Sequence, residues 1–167
     1  MTKIESIKNI SNTLVNALIV ANKTVVTAES CTGGWIAKSI TDIPGSSKCF
    51  LCGMVTYSDQ SKKSILGIKS SILKDHGVVS EAVVREMSDK ILKMNNSDLS
   101  VAVSGIAGPD GGSEDKPVGT VWISWSISSE GEVTSDAIKY NFIGERKLIR
   151  KQAVIIALKG LLERVVS

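Results

Sequence analysis

Aromatic side chains are scarce in this chain of 167 residues, of which phenylalanine, tryptophan and tyrosine make up 4%. The charges are nearly balanced, with 20 lysines and arginines against 17 aspartates and glutamates, and no segment forms a polybasic arm. Proteins that bind nucleic acid need a basic surface, and those that bind single strands also use aromatic rings for stacking. The composition therefore argues against nucleic acid as a partner.

Residues that bind metals are also few. His76 is the only histidine, and the three cysteines are Cys31, Cys49 and Cys52. An odd number of cysteines argues against a disulfide framework. Cys49 and Cys52 match C-x-x-C, but residues 49–57 are typical of a buried strand, in which side chains three apart point to opposite faces. We therefore expect core cysteines, no metal site and no cofactor.

Long hydrophobic runs are missing as well. No apolar run reaches the roughly 20 residues that cross a bilayer. The first residues, MTKIES, mix charges and lack the apolar segment of a signal peptide. We therefore expect a cytoplasmic protein without a membrane partner. Hydrophobic residues make up 43% of the chain, which is enough for the core of one domain over residues 1–167.

The apolar pattern predicts helices that alternate with strands. Helical spacing and capping signals predict helices at residues 4–21, 35–41, 59–66, 81–93 and 145–165. Apolar or alternating runs predict strands at residues 23–28, 50–57, 99–104, 119–128 and 133–142, the last two joined as a hairpin around Gly131. This order predicts an α/β fold, a three-layer α/β/α sandwich with a mixed sheet.

The most informative segment is residues 29–34 (ESCTGG), between a predicted strand and a predicted helix. It brings the Ser30 hydroxyl and the Cys31 thiol to a helix N-terminus, where the first N–H groups have no partner within the helix. Such groups can stabilise an oxyanion, so this turn suits acyl transfer. From the residues alone, a serine that only caps the helix is the simpler interpretation.

A glycine-rich loop over residues 105–117 is the second indication of a site. Such loops can hold anions through backbone N–H groups. This one matches neither G-x-x-x-x-G-K-[ST] nor G-x-G-x-x-G, which argues against nucleoside triphosphate and dinucleotide folds. Its length favours a functional loop over a simple surface turn.

Six segments follow one another in a fixed order: residues 27–34 (TAESCTGG), 44–47 (PGSS), 55–58 (VTYS), 77–80 (GVVS), 104–112 (SGIAGPDGG) and 116–121 (KPVGTV). Together they resemble the CinA C-terminal domain family. The resemblance extends over roughly residues 5–165 and is to the form without the molybdopterin-binding-like domain of larger members. It implies an amidohydrolase of pyridine-nucleotide salvage, which converts nicotinamide mononucleotide and water to nicotinate mononucleotide and ammonia.

The resemblance also implies roles for individual residues. Ser30 matches the nucleophile and Lys62 the catalytic base, a Ser–Lys pair in place of a histidine triad. A helix N-terminus and partial burial would lower the pKa of Lys62, although a solvated lysine is the alternative. Tyr57 would position the amide or the base, or simply pack in the interior. Cys31, at a helix N-terminus where thiol pKa values fall, is the second candidate nucleophile.

The remaining residues that the resemblance implies would bind the substrate. Backbone N–H groups of the glycines would bind the oxyanion, a hydroxyl at the end of the third strand would hydrogen-bond the substrate or Lys62, and an arginine would bind the 5′-phosphate. The set is Thr32, Gly33, Gly34, Ser104, Gly105 and Arg146, with Lys147, Arg150 and Lys151 close to the arginine.

Two other functions stay open at this point. A member of the family can be a catalytically silent binding module associated with competence or DNA damage, or it can hydrolyse a different amide. We expect a homo-oligomer, although the apolar segment 153–160 is compatible with packing inside one subunit or between two.

Overall fold

The protein is described by a computed structural model over residues 6–166. Its α-helices are α1 (Ile7–Ala21), α2 (Trp35–Thr41), α3 (Asp59–Ser64), α4 (Ser70–His76), α5 (Glu81–Asn95) and α6 (Arg146–Val165). Its strands are β1 (Val25–Glu29), β2 (Phe50–Val55), β3 (Leu99–Gly105), β4 (Thr120–Ser129) and β5 (Glu132–Asn141), and a 3-10 turn covers Ser46–Lys48.

The strands form one mixed sheet in the order β2-β1-β3-β4-β5. Strand β1 runs parallel to β2 and to β3, whereas β3, β4 and β5 are antiparallel neighbours. Glu29, the last residue of β1, pairs with Val55 of β2 and Val103 of β3. The carboxyl ends of three parallel strands therefore meet at one edge, as in other open α/β sheets that bind ligands there.

Helices cover both faces of this sheet. The residues of α5 that include Val83 and Met87 pack on Val26 and Ala28 of β1 to form one core cluster. The helices α1, α2 and α6 form the other cluster against the opposite face, where Trp125 of β4 lies. The mixed sheet and the α/β class are confirmed, and the two clusters make the three layers.

Capping residues start two of the helices as the sequence predicts. The Ser58 side chain accepts a hydrogen bond from the Ser61 N–H, and the Ser61 hydroxyl accepts one from the Ser58 N–H, which forms a capping box at α3. Ser80 accepts from the Val83 N–H at the start of α5. Within residues 6–166, no helix is long and apolar enough to cross a membrane.

Several predicted boundaries change. The predicted start of the first helix at residue 4 lies outside the described residues, and the strand predicted at 23–28 extends to Glu29. The strand predicted at 50–57 ends at Val55 and is not buried, because β2 lies at the edge of the sheet and exposes alternate residues. Helix α4 was missed, since its N-cap, Lys69, makes no side-chain capping bond that the sequence would reveal.

Candidate active site

A pocket of about 170 Å³ lies at the edge where the parallel strands end. The segments that follow β1 and β2, the end of β3, helix α3 and the first residue of α6 contribute to the lining. The lining includes Ser30, Cys31, Tyr57, Asp59, Lys62, Ser104, Gly105 and Arg146.

Ser30 and Lys62 lie in contact inside this pocket. The Lys62 Nζ lies 3.1 Å from the Ser30 Oγ and donates a second hydrogen bond, of 2.9 Å, to the carbonyl of Thr56. Both side chains are buried, with Ser30 8% and Lys62 1% exposed. The pair can therefore exchange a proton away from bulk water. The solvated alternative for Lys62 is wrong.

Burial lowers the pKa of Lys62 from its usual range, because the charged ammonium loses its hydration. The carboxylate of Asp59, three residues earlier in α3, opposes this by favouring the charged form. The position of Lys62 near a helix N-terminus predicted that the helix dipole would contribute to this lowering. The main cause in the structure is burial of the amine, which favours a lysine that can act as a base.

Glu29 occupies the N-terminus of α2. Its buried carboxylate accepts hydrogen bonds from the N–H groups of Gly34 (3.0 Å), Ile36 (3.1 Å) and Ala37 (2.8 Å). The N-cap of α2 is Gly34, so Ser30 does not cap this helix. The idea that these first N–H groups face the nucleophile is also wrong, since Glu29 already binds them. Glu29 was not among the predicted site residues, although a lone carboxylate between an apolar strand and the start of a helix is a usable signal of such a contact.

Replacement of Glu29 by alanine is expected to destabilise the fold. Three N–H groups would lose their acceptor in or near the core, which costs about 3 kcal/mol. At this chain length that corresponds to a fall in Tm of about 9 °C, measurable by calorimetry. Glu145→Ala is the matched control, because this exposed glutamate is the N-cap of α6 and makes no side-chain capping bond. An equal fall in both variants would contradict the role of Glu29.

Gly33 and Gly34 do not offer free donors to the pocket. The Gly33 N–H donates to the Ser30 carbonyl at 3.0 Å and closes the turn, and the Gly34 N–H is bound by Glu29. Both glycines have positive φ, 62° and 91°, which the turn requires. Their predicted role as oxyanion donors is therefore replaced by a conformational one.

Gly105 is better placed to act as a donor. The next N–H, that of Ile106, donates to the Thr120 carbonyl of the neighbouring strand at 2.8 Å. Successive N–H groups of a strand point in opposite directions, so the Gly105 N–H faces the side on which β1 ends at Ser30. Gly105 also lines the pocket.

The Cys31 thiol is not activated, because its pKa is raised rather than lowered. Burial raises its pKa to about 12, and the side chain is 6% exposed. The expectation of a lowered pKa at the helix N-terminus is wrong, because burial dominates and because α2, whose first N–H groups are bound by Glu29, begins four residues beyond Cys31. A thiol that stays protonated is a poor nucleophile.

Two predicted binding residues have other contacts. Ser104 donates its hydroxyl hydrogen to the Val78 carbonyl at 2.8 Å, so it does not bind Lys62, although it lines the pocket. Thr32 is fully buried, and its hydroxyl oxygen has no hydrogen-bond partner among the described residues. Its side chain is not part of the pocket lining, so its predicted contact with the substrate would need the turn to move.

Tyr57 and Arg146 meet at the mouth of the pocket. Arg146 donates from Nη2 to the Tyr57 hydroxyl at 2.9 Å and from Nη1 to the Gly108 carbonyl at 2.6 Å. Tyr57 is 58% exposed, so the alternative of a buried packing residue is wrong. This contact joins the segment after β2 to the loop after β3, and it leaves Tyr57 bound to Arg146 rather than to Lys62.

A second cavity of about 760 Å³, here called the basin, lies next to the pocket and shares Ala107 and Arg146 with it. Cationic side chains from the start of α6 line one side, and apolar residues of the loop line another. The lining is Trp35, Ala107, Pro109, Val118, Gly144, Glu145, Arg146, Lys147 and Arg150. The cationic side can attract an anion.

Arg150 was predicted only as one of the cationic residues close to Arg146. It donates from Nε to the Cys31 carbonyl and from Nη2 to the Thr32 carbonyl, each at 2.9 Å. Its guanidinium also lies over the Trp35 ring, 5.5 Å from the ring centre. No sequence signal connects Arg150 with a turn more than a hundred residues earlier.

The other candidates lie away from the pocket. His76 is exposed at the end of α4, as expected for a solvated histidine. Cys49 is buried in the core and Cys52 is half-buried against the other cluster, and both are free thiols. Among residues 6–166, no three histidine, cysteine or acidic side chains are grouped closely enough to hold a metal ion.

Comparison with known proteins identifies relatives over nearly the whole chain. A family model for the CinA C-terminal domain matches residues 7–165. Nicotinamide-nucleotide amidohydrolase PncC of Escherichia coli K12 is 48% identical over 152 residues, which cover 91% of this chain and 90% of that protein. A CinA-like protein of Thermotoga maritima is 45% identical over 139 residues, 83% of this chain and 33% of that longer protein.

Solved structures of similar proteins have the same fold. A CinA superfamily protein of Klebsiella pneumoniae superposes with a TM-score of 0.90 at 34% identity, covering 97% of this chain and 99% of that one. A competence/damage inducible protein of Agrobacterium tumefaciens gives a TM-score of 0.89 at 33% identity, with complete coverage of both chains.

Proposed function

This chain belongs to the CinA C-terminal domain family, and from this premise we propose that it hydrolyses the carboxamide of nicotinamide mononucleotide. The products would be nicotinate mononucleotide and ammonia, and the intermediate an ester with Ser30. The observation that carries the proposal is the buried pair in the pocket, with 3.1 Å between Ser30 Oγ and Lys62 Nζ. The name of the Escherichia coli relative supports the choice of substrate.

Acylation begins with proton transfer from Ser30 to Lys62. A neutral Lys62 can keep its hydrogen bond to the Thr56 carbonyl while its lone pair accepts the Ser30 proton. The Ser30 oxygen attacks the amide carbon, and the oxyanion is stabilised by backbone donors, for which Gly105 is the best placed. The C–N bond then breaks, and the Lys62 ammonium gives its proton to the leaving nitrogen, which departs as ammonia.

Deacylation reverses these roles with water. Lys62, neutral again, removes a proton from a water molecule that attacks the ester carbon. The C–O bond to Ser30 breaks, and Ser30 recovers its proton from Lys62. The product leaves as a carboxylate and releases one proton to the solvent.

The two cavities suit the two parts of this substrate. The pocket of about 170 Å³ is of a size for a pyridine ring with its amide, whereas a ribose phosphate needs the larger space of the basin. Arg146, Lys147 and Arg150 place positive charge in the basin. We therefore propose that the amide enters the pocket and the phosphate stays in the basin.

Replacement of Arg146 by methionine is expected to raise the KM for nicotinamide mononucleotide about 10- to 100-fold, since a charged hydrogen bond contributes about 1.5–3 kcal/mol. Nicotinamide riboside, which lacks the phosphate, should show a much smaller change in KM. Steady-state kinetics with both substrates measures this. An equal increase for both would mean that Arg146 acts through Tyr57 rather than on the phosphate.

Ammonia release from nicotinamide mononucleotide, measured with a chelator present and no added metal, tests the proposed function. Stoichiometric ammonia and nicotinate mononucleotide would support it. A folded protein that binds the nucleotide by calorimetry but releases no ammonia would instead be a binding module. A folded protein that does neither would exclude this substrate.

The cellular setting follows from the same chemistry. We propose a role in pyridine-nucleotide salvage in the cytoplasm, by a homo-oligomer of this single domain. Exposed apolar side chains on the edge strand, Leu51 and Val55, are compatible with a second subunit. Sedimentation of the purified protein tests the oligomer.

A further inference from the structure

Arg150 connects two parts of the site that are otherwise separate. At one end its guanidinium binds the carbonyls of Cys31 and Thr32, the two residues that follow Ser30. At the other end it lines the basin beside Arg146 and Lys147. Arg146 binds Tyr57 and the Gly108 carbonyl, whereas Arg150 hydrogen-bonds to the turn that carries the nucleophile.

The guanidinium of Arg150 can bind the two carbonyls of the turn and a phosphate in the basin at the same time. An arginine has five N–H donors, and the bonds from Nε and Nη2 use two of them. The remaining donors can bind phosphate oxygens without breaking the bonds to the turn. The Trp35 ring lies beneath the guanidinium, 5.5 Å from its central carbon to the ring centre, and a cation–π contact of this kind favours the observed position of the group. A displacement of the guanidinium by a bound phosphate would therefore be passed to the two carbonyls that it binds.

We propose that Arg150 is a positioning residue that couples phosphate binding in the basin to the placement of Ser30. This rests on the proposed function, because it assumes that a phosphate occupies the basin during amide hydrolysis. A bound phosphate restrains the guanidinium, the guanidinium restrains the Cys31 and Thr32 carbonyls, and Ser30 stays in line with Lys62. The phosphate then raises kcat as well as affinity, in the way that binding energy from a remote part of a substrate can lower a barrier.

The test compares nicotinamide mononucleotide with nicotinamide riboside in the wild type and in Arg150→Lys. In the wild type, removal of the phosphate should lower kcat about 100-fold, the size of effect that a small misplacement of reacting groups produces. Arg150→Lys keeps the charge but cannot bind two carbonyls in a fork. Its kcat for the mononucleotide should fall toward that for the riboside, so the ratio of the two kcat values approaches one.

Lys151→Gln is the matched control, since Lys151 is exposed, follows Arg150 in α6 and lies outside the basin lining. Its kcat ratio should equal that of the wild type. A purely structural role for Arg150 would lower kcat for both substrates by the same factor and leave the ratio unchanged, which would overturn the proposal. Equal kcat values for the two substrates in the wild type would overturn it without any variant, even if Arg150→Lys failed to fold.

Failure of the proposed function gives a different result. In that case the wild type releases no ammonia from either substrate. Ammonia release by the wild type, together with an Arg150→Lys variant in which only KM changes, would keep the proposed function and reject the coupling.

Discussion

Ser30→Ala is expected to lower the rate of ammonia release by about 10⁴-fold or more, the scale on which removal of a nucleophile acts in serine hydrolases. The change removes one oxygen from a side chain that is 8% exposed, so the fold should be retained. The measurement is kcat from ammonia release, with circular dichroism and Tm as checks of folding. Trapping of the nicotinoyl ester in the wild type by mass spectrometry after acid quench would support the same conclusion.

Cys31→Ala is the matched control for Ser30→Ala, because the two residues are adjacent and both line the pocket. Burial raises the pKa of Cys31 to about 12, so its thiol should contribute no nucleophile at neutral pH. We expect this variant to keep its activity within about tenfold of the wild type, an allowance for altered packing. The reverse pattern, with activity kept in Ser30→Ala and lost in Cys31→Ala, would assign the nucleophile to Cys31.

Lys62→Met is the second change with a large expected effect, a loss of about 10³- to 10⁴-fold or more in kcat. In the wild type, activity should rise with pH as Lys62 loses its proton, because only the neutral amine can accept the proton of Ser30. Burial lowers the pKa of Lys62, so activity should rise at a lower pH than the titration of an exposed lysine would give. Lys62→Arg keeps a positive charge but supplies no base, and it should be inactive at every pH.

The stability of the fold should also depend on the protonation of Lys62. The pKa of Lys62 is lower in the folded chain than in the unfolded chain, so between these two values the unfolded state binds more protons and the free energy of unfolding rises with pH. If the pKa of Lys62 is lower by one in the folded state, the free energy of unfolding rises by about 1.4 kcal/mol across this pH range. The Tm of the wild type should therefore rise relative to that of Lys62→Met from neutral pH toward pH 10. A constant difference in Tm would contradict burial of the amine.

Much of this architecture could be predicted because local patterns carry it. Ser58 and Ser80 start helices through bonds to residues three positions later, and the turn at Gly131 joins two alternating strands. The resemblance predicted Ser30 and Lys62 as site residues, and in the structure their side chains are in contact. The catalytic roles of the site residues remain predictions.

The residues that were missed or misjudged depend on contacts between distant segments. Lys62 and Lys63 are neighbours of the same type, and only the packing of α3 decides that the first is buried. Arg150 reaches a turn 119 residues earlier. Glu29 is local, but apolar periodicity could not distinguish a carboxylate that completes a strand from one that begins a turn, and the predicted strand stopped one residue too soon.

The order of strands in the sheet also bears on how the chain folds. The strands β3, β4 and β5 pair with their neighbours in sequence, whereas β1 pairs with β3 across some 74 residues, the separation of the Thr24 contact with Asp98. Closing long loops costs entropy and slows folding, so the antiparallel part can assemble before β1 and β2 dock. Ser30 and Lys62 belong to the part that docks last. A partly folded chain in which β1 and β2 have not docked would thus have the antiparallel part of its sheet and no assembled pocket. Activity would then report completion of folding more faithfully than secondary structure does.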